Sequence, residues 1–283
     1  MKKCIWVGVW VVSTSMILTG CDKKKPETEP QSSPVTTVQT PTPVSNNPVV
    51  TAEVAVPHLT ASEQKAKYIL PACQGDKCPQ VDIQHLQTND PWVNQFLDHE
   101  VLKLSQGFSE KPSDRTSLQQ NIDAFVKMSN DDVNDGGMSV PYSMEITAEK
   151  LGSRVANLAQ FKVSGNFYTG GAHGSAVNSY YVLDLTQHKQ LKLNDLLISG
   201  QKNKLYNVVY TEFVQWVKGS DPAVNLKEYE AMWKFTLTHN FVLSKKGLTF
   251  YYGQYEIGPY VVGMPEFTIP YAKLNGIIKP EYL

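Results

Sequence analysis

The chain has little of what most enzymes and nucleic-acid binders carry. It has four cysteines in 283 residues, and no two of them are spaced two apart as in a redox or zinc motif. Six histidines are scattered without paired spacing (His58, His85, His99, His173, His188 and His239), so no metal ligand set is legible. No Gly-x-Ser-x-Gly elbow is present. No basic cluster with interleaved aromatics marks a nucleic-acid surface. Neither charge sign dominates, with Lys+Arg 26 against Asp+Glu 27 and a net charge of −1. The acids of Asn130-Asp131-Asp132-Val133-Asn134-Asp135-Gly136-Gly137 have the wrong spacing for a calcium loop and lack its closing Glu, so a solvated loop is expected there. No cofactor, no metal and no nucleic acid are expected, and an enzyme is disfavoured without being excluded.

The first residues are informative. Lys2 and Lys3 precede an apolar run from Ile5 to Leu18. That run is shorter than the roughly 20 residues that span a bilayer, and it reads as a secretory signal. Leu18-Thr19-Gly20-Cys21 resembles the bacterial lipobox, in which the cysteine is lipidated and becomes the first mature residue. The expected divisions are a signal at 1–20, then lipidated Cys21 and a tether to 57. Cleavage would remove Lys2, Lys3 and Cys4 and no acid, taking the net charge from −1 to −3. Pro26, Pro30, Pro34, Pro41, Pro43, Pro48 and Pro57 recur in the tether among Thr, Val, Ser and Gln. Such a segment packs no core and extends by about 3 Å per residue. Asp22 resembles an inner-membrane retention signal, but either membrane of the envelope fits an anchor facing the periplasm. Cys73 and Cys78 are then the only free pair, and in an oxidising compartment they read as a disulfide.

From about Tyr68 to the end the sequence is mixed apolar and polar, which suits one domain or two packed halves, at 58–149 and 150–283. Residues 80–86 alternate as a strand. Asp90-Pro91 signals a helix start, with an inward stripe at Trp92, Phe96, Val101 and Leu104. A second helix is expected over 117–128. Strands are expected at 142–150, 154–168 and 175–185, joined by short turns as an antiparallel meander. Leu205, Val208, Val209, Phe213, Trp216 and Val217 have helical spacing. Further strands are expected at 241–243, 248–252 and 260–262, with a short helix near Pro270. Runs of strands with inserted helices define an α+β class, an antiparallel sheet with packed helices.

One stretch interrupts the meander: Phe167-Tyr168-Thr169-Gly170-Gly171-Ala172-His173-Gly174. A catalytic histidine needs a nucleophile or an orienting acid, and none is legible nearby. A phosphate loop would lead into a helix, whereas this segment leads into a strand. Glycines permit the positive φ of tight turns, so a structural turn locked by His173 is favoured over a binding or a catalytic loop.

That segment, with Leu191-Lys192-Leu193-Asn194-Asp195-Leu196-Leu197 and the tail Phe250-Tyr251-Tyr252-Gly253-Gln254-Tyr255-Glu256-Ile257-Gly258-Pro259-Tyr260-Val261-Val262, resembles the RsiV-like domain family. The likeness runs from about 150 to 275. The family's domain forms the outer part of an anti-sigma factor and also accompanies a peptidoglycan deacetylase domain. The resemblance implies an α+β domain and one transferable activity, lysozyme binding. The sigma-holding segment and the deacetylase domain have no counterpart here. The turn residues carried over are Tyr168, Gly170, Gly171, His173 and Gly174. Tyr251, Tyr252, Tyr255, Glu256 and Tyr260 are candidate partner contacts, with cross-strand packing as the alternative for each tyrosine. The expected function is a periplasmic lipoprotein that binds, without catalysis, a lysozyme-type muramidase. Two alternatives stay open: a peptidoglycan-binding or peptidoglycan-modifying protein with His173 and Glu256 as acid and base, or a structural envelope protein.

Overall fold

Asp90 and Pro91 start a helix as expected. In the computed structural model the described residues are 58–283, apart from 74, 76, 108–113 and 137–139. Cys21, the signal and the tether lie outside them. Helix α1 (Pro91–Leu104) has Pro91 in its first turn, and the Asp90 carboxylate accepts from Trp92 N at 2.9 Å and Val93 N at 3.3 Å. Helix α2 (Leu118–Asn134) opens on a capping box between Ser117 and Gln120. It runs one and a half turns beyond the expected end, through most of the acidic stretch read as a loop. Buried Val133, the Lys127–Asp131 pair one turn apart and the Tyr142 hydroxyl on Asp132 hold that extension.

The main sheet has six strands in sequence order: β1 (Ala61–Lys65), β2 (Gln80–Thr88), β3 (Ser143–Leu151), β4 (Leu158–Tyr168), β5 (Ser175–Asp184) and β6 (Lys189–Leu191). Strands β3 to β6 form the expected antiparallel meander. Strands β2 and β3 pair in parallel, because α1 and α2 lie between them and carry the chain back to the same end. The fold is α+β. A second sheet of β7 (Phe241–Leu243), β8 (Gly247–Tyr251) and β9 (Glu266–Pro270) lies beyond helices α3 (Leu193–Leu196), α4 (Lys202–Ser220) and α5 (Leu226–Met232). Residues 260–262, expected as a strand, form a 3-10 turn between Pro259 and Gly263, whose φ is +71°. Tyr271–Leu274 is the short helix expected near Pro270.

Two apolar cores sit on opposite faces of the main sheet. On one face Val93, Leu97, Ile122 and Phe125 of α1 and α2 meet Met144, Ile146, Phe161 and Val163. On the other, Leu158 and Val182 meet Phe213 of α4 and Leu243, Phe250 and Ile269 of the small sheet. Gln160, 0% exposed, joins the two sheets. Its Oε1 accepts from Leu243 N at 2.6 Å, and its Nε2 donates to Gly152 O at 2.7 Å and Leu243 O at 3.1 Å. The β5 edge beyond β6 is capped by side chains: Ala176 N donates to Gln254 Oε1 and Tyr180 N to Asn240 Oδ1. The small sheet thus covers the Leu158–Gln160 end of this face and reaches Tyr180 through Tyr251, and Met264 reaches Asn178; at the far, open end Asn166 is exposed. Residues Glu53–Leu283 make one compact unit.

Candidate functional site

The glycine turn joins β4 to β5 at that open end. Gly170 and Gly171 have φ of +96° and +87°, a region that costs side-chain-bearing residues steric energy. Gly174 approaches Phe167 so closely that a Cβ would meet its carbonyl at 2.8 Å. Tyr168 closes the turn from its hydroxyl to Gly171 O at 3.2 Å.

His173 lies flat on Tyr260, with ring centroids 3.8 Å apart and planes 16° from parallel. Its Nδ1 is 3.0 Å from Gly174 O, to which it can only donate, and its Nε2 is 3.3 Å from the Tyr255 hydroxyl. Both ring nitrogens are engaged, and no nucleophile is among the partners. Glu256 does not approach the histidine; its Oε2 accepts from Gly253 N at 2.7 Å. The geometry fits a lock joining the turn to the C-terminal segment better than an acid–base pair.

That segment is where the structure adds most to the sequence reading. Tyr255 has a φ of +63°, an uncommon conformation for an aromatic residue. Its ring is half exposed and stands between Trp233, at 6.3 Å, and Tyr260, at 5.7 Å. Met232 and Val261, next in sequence to Trp233 and Tyr260, are 74% and 87% exposed. Tyr229 ties α5 to this loop through a hydrogen bond to Ile257 O at 3.0 Å. Gly258 makes the approach possible, since a Cβ there would meet the Tyr229 hydroxyl and Val262, each at 2.8 Å. The result is an aromatic cluster of His173, Trp233, Tyr255 and Tyr260, flanked in sequence by exposed Met232 and Val261. Met232 and Trp233 were not legible as site residues, since nothing in the sequence of α5 says that it packs beside Ile257.

The other candidates separate. Tyr251 stacks on Tyr180 at 3.8 Å, away from the patch on the open sheet face. Tyr252 is 2% exposed, sits in the core and has no surface to offer a partner. Cys73 and Cys78 are joined as a disulfide. Among the described residues no cluster of three or more His, Cys, Asp or Glu side chains is placed to hold a metal ion, and no helix is long and apolar enough to cross a membrane.

Glu256 is exposed as a residue, yet its carboxyl is partly shielded. Burial raises its pKa, and the Gly253 N–H offsets part of the rise. The folded state therefore disfavours the charge, a cost present at neutral pH that vanishes as pH falls through the raised value. Glu256→Gln keeps an acceptor for Gly253 N and removes the charge. The variant is expected to melt at or above the wild type at pH 7, and the two melting curves should converge on acidification. A lower melting temperature at pH 7 would mean that the carboxylate itself is needed.

Residues 194–272 match a family model described as "Protein of unknown function (DUF3298)". The match holds Trp233, Tyr255 and Tyr260 but stops short of the glycine turn. Two solved structures share the fold. One is a DUF3298 family protein from Pseudomonas aeruginosa PAO1, 26% identical, with a TM-score of 0.63 over 81% of this chain and 98% of that one. The other is a member of the same family from Bacteroides fragilis NCTC 9343, 22% identical, with a TM-score of 0.55 over 79% of this chain and 94% of that one. No curated protein matches.

Proposed function

We propose that this chain is a lipid-anchored envelope protein whose RsiV-like domain binds a protein partner, a c-type lysozyme or related muramidase, without catalysis. The carrying observation is the patch around Tyr255. Interface hot spots are enriched in Trp and Tyr, and Met is over-represented at interfaces, whereas monomers seldom leave such residues clustered in the open. A strained Tyr255 agrees with this, since backbone strain is retained where a side chain must be presented. Cys21 would hold the lipid, and the proline-rich tether would let the domain reach beyond the membrane surface. A mature charge of −3 suits a basic partner.

The test is calorimetric titration of residues 53–283 with a c-type lysozyme at moderate salt. Micromolar or tighter binding, with protection of peptidoglycan from digestion, is the expected result. No heat at any salt, and no protection, would end the lysozyme reading.

A further inference from the structure

Beside the aromatic cluster stands a thioether that packing does not explain. Met232 is the last residue of α5 and one peptide from Trp233, so their Cα atoms are about 3.8 Å apart. It is 74% exposed and belongs to neither apolar core. The other described methionines are less open. Met144 is 2% exposed, in the core under α1 and α2, and Met128 is 48% exposed. Met264 is half-buried, and its sulfur accepts from the Asn178 amide at 3.1 Å. A free thiol would compete for an oxidant, but Cys73 and Cys78, the two cysteines among the described residues, are already joined.

Exposure decides which thioether a peroxide oxidises, because the oxidant must reach the sulfur. The sulfur lone pair attacks one oxygen of the peroxide. An S–O bond forms as the O–O bond breaks, and the second oxygen leaves with both protons as water. The sulfur loses two electrons and the peroxide gains them. The product sulfoxide is polar where the thioether is apolar. Burying it against a partner without a hydrogen-bond donor costs free energy that the thioether does not incur.

We propose that Met232 is the preferred oxidation site among the described methionines, and that a peroxide-class oxidant, by forming its sulfoxide, turns the rim of the aromatic cluster polar and weakens docking there. Trp233 stands 6.3 Å from Tyr255, so the change falls one residue from the ring pair that carries the proposed function. The fold does not register it, since α5 holds no fully buried residue and Met232 lies outside both cores. The oxidation stands on exposure and sulfur chemistry alone; its effect on a protein partner rests on the function proposed above.

The test treats residues 53–283, the compact unit that contains both apolar cores, with hydrogen peroxide, removes the peroxide with catalase and maps the products by peptide mass spectrometry. Met232 is expected to convert ahead of Met128, and fully while Met144 is intact. Conversion of Met128 or Met144 first overturns the site. Met232→Leu, which has no sulfur to oxidise there, should melt as the wild type does. On a phenyl-bearing hydrophobic matrix the oxidised wild type should elute earlier than the untreated protein, and treated Met232→Leu should not shift. In titrations with a c-type lysozyme, oxidation should weaken wild-type binding about tenfold, the scale of one polar group buried without a partner. Methionine sulfoxide reductase should restore the affinity, and treated Met232→Leu should keep it. Unchanged retention in protein oxidised at Met232, or an equal shift in treated Met232→Leu, overturns the polar rim. Unchanged lysozyme affinity in that oxidised protein overturns the weakened docking. If the untreated protein gives no heat with lysozyme, the lysozyme reading fails by itself, and the retention shift alone decides the inference.

Discussion

Replacing Gln160 by leucine is expected to lower the unfolding free energy by about 3 kcal/mol or more, although the substitution makes the core more apolar. Gln160 is fully buried and serves three backbone groups: Leu243 N, Leu243 O and Gly152 O. Leucine has a similar size and serves none of them. Each polar group left dry and unpaired costs about 1–3 kcal/mol, and the hydrophobic gain from a side chain that is already buried is smaller than the sum. Urea denaturation followed by circular dichroism measures the effect as a lower midpoint at unchanged slope. A loss under about 1 kcal/mol would show that water or a shifted β7 satisfies Leu243, and that the sheets are joined by apolar packing alone. The Leu243 end of the small sheet should show the earliest loss of amide protection in the variant, because that is where the partner is removed.

Gln160 also marks where the sequence stops being legible. Residues 158–168 alternate well enough to be read as a strand, and the alternation puts Gln160 on the polar side. Nothing in the alternation says that a second sheet covers that end of the face and turns an outward glutamine into a buried joint. The elements read correctly had local causes. Asp90-Pro91 is a cap and first turn, and Leu205, Val209, Phe213 and Val217 are a buried stripe. The elements missed had distant ones. Strand β1, Ala-Ser-Glu-Gln-Lys, is exposed throughout and is a strand only because β2 offers it an edge. Strand β9 pairs with β8 and buries Phe267 and Ile269, but its five residues give too short an alternation to read. The parallel β2–β3 pair follows from a two-helix crossover that no short window contains. In the site, the glycine turn was visible because glycine interrupts a strand pattern, and Tyr260 was visible through the family resemblance of the tail. Met232 ends a short helix and Trp233 caps it, and that helix is placed by distant partners: Tyr229 bonds Ile257 O and packs on Phe213, and Glu230 accepts from Tyr210. Tyr252 was misread as a possible contact because neighbouring tyrosines in a strand look alike until one face is known to be buried.

Tyr255 separates the backbone's part in the site from the ring's. Tyr255→Ala and Tyr255→Gly both delete the ring that stands between Trp233 and Tyr260. Both are expected to weaken lysozyme binding by about 2 kcal/mol or more, roughly thirtyfold, the scale of an interface hot spot. They should differ in stability. At a φ of +63° alanine still carries the left-handed cost of a Cβ, about 1–2 kcal/mol, and glycine does not. The glycine variant should therefore unfold about 1 kcal/mol higher than the alanine variant, after allowance for the entropy of a freer unfolded chain. Paired melts and titrations on the two proteins separate the outcomes. If both keep wild-type affinity, the partner docks elsewhere and the exposed patch needs another explanation. If both lose affinity and their stabilities coincide, the ring matters and the backbone is unstrained. The expected pattern, lost affinity in both with the glycine form the more stable, means that this fold gives up stability at Tyr255 to hold a ring where a partner can reach it.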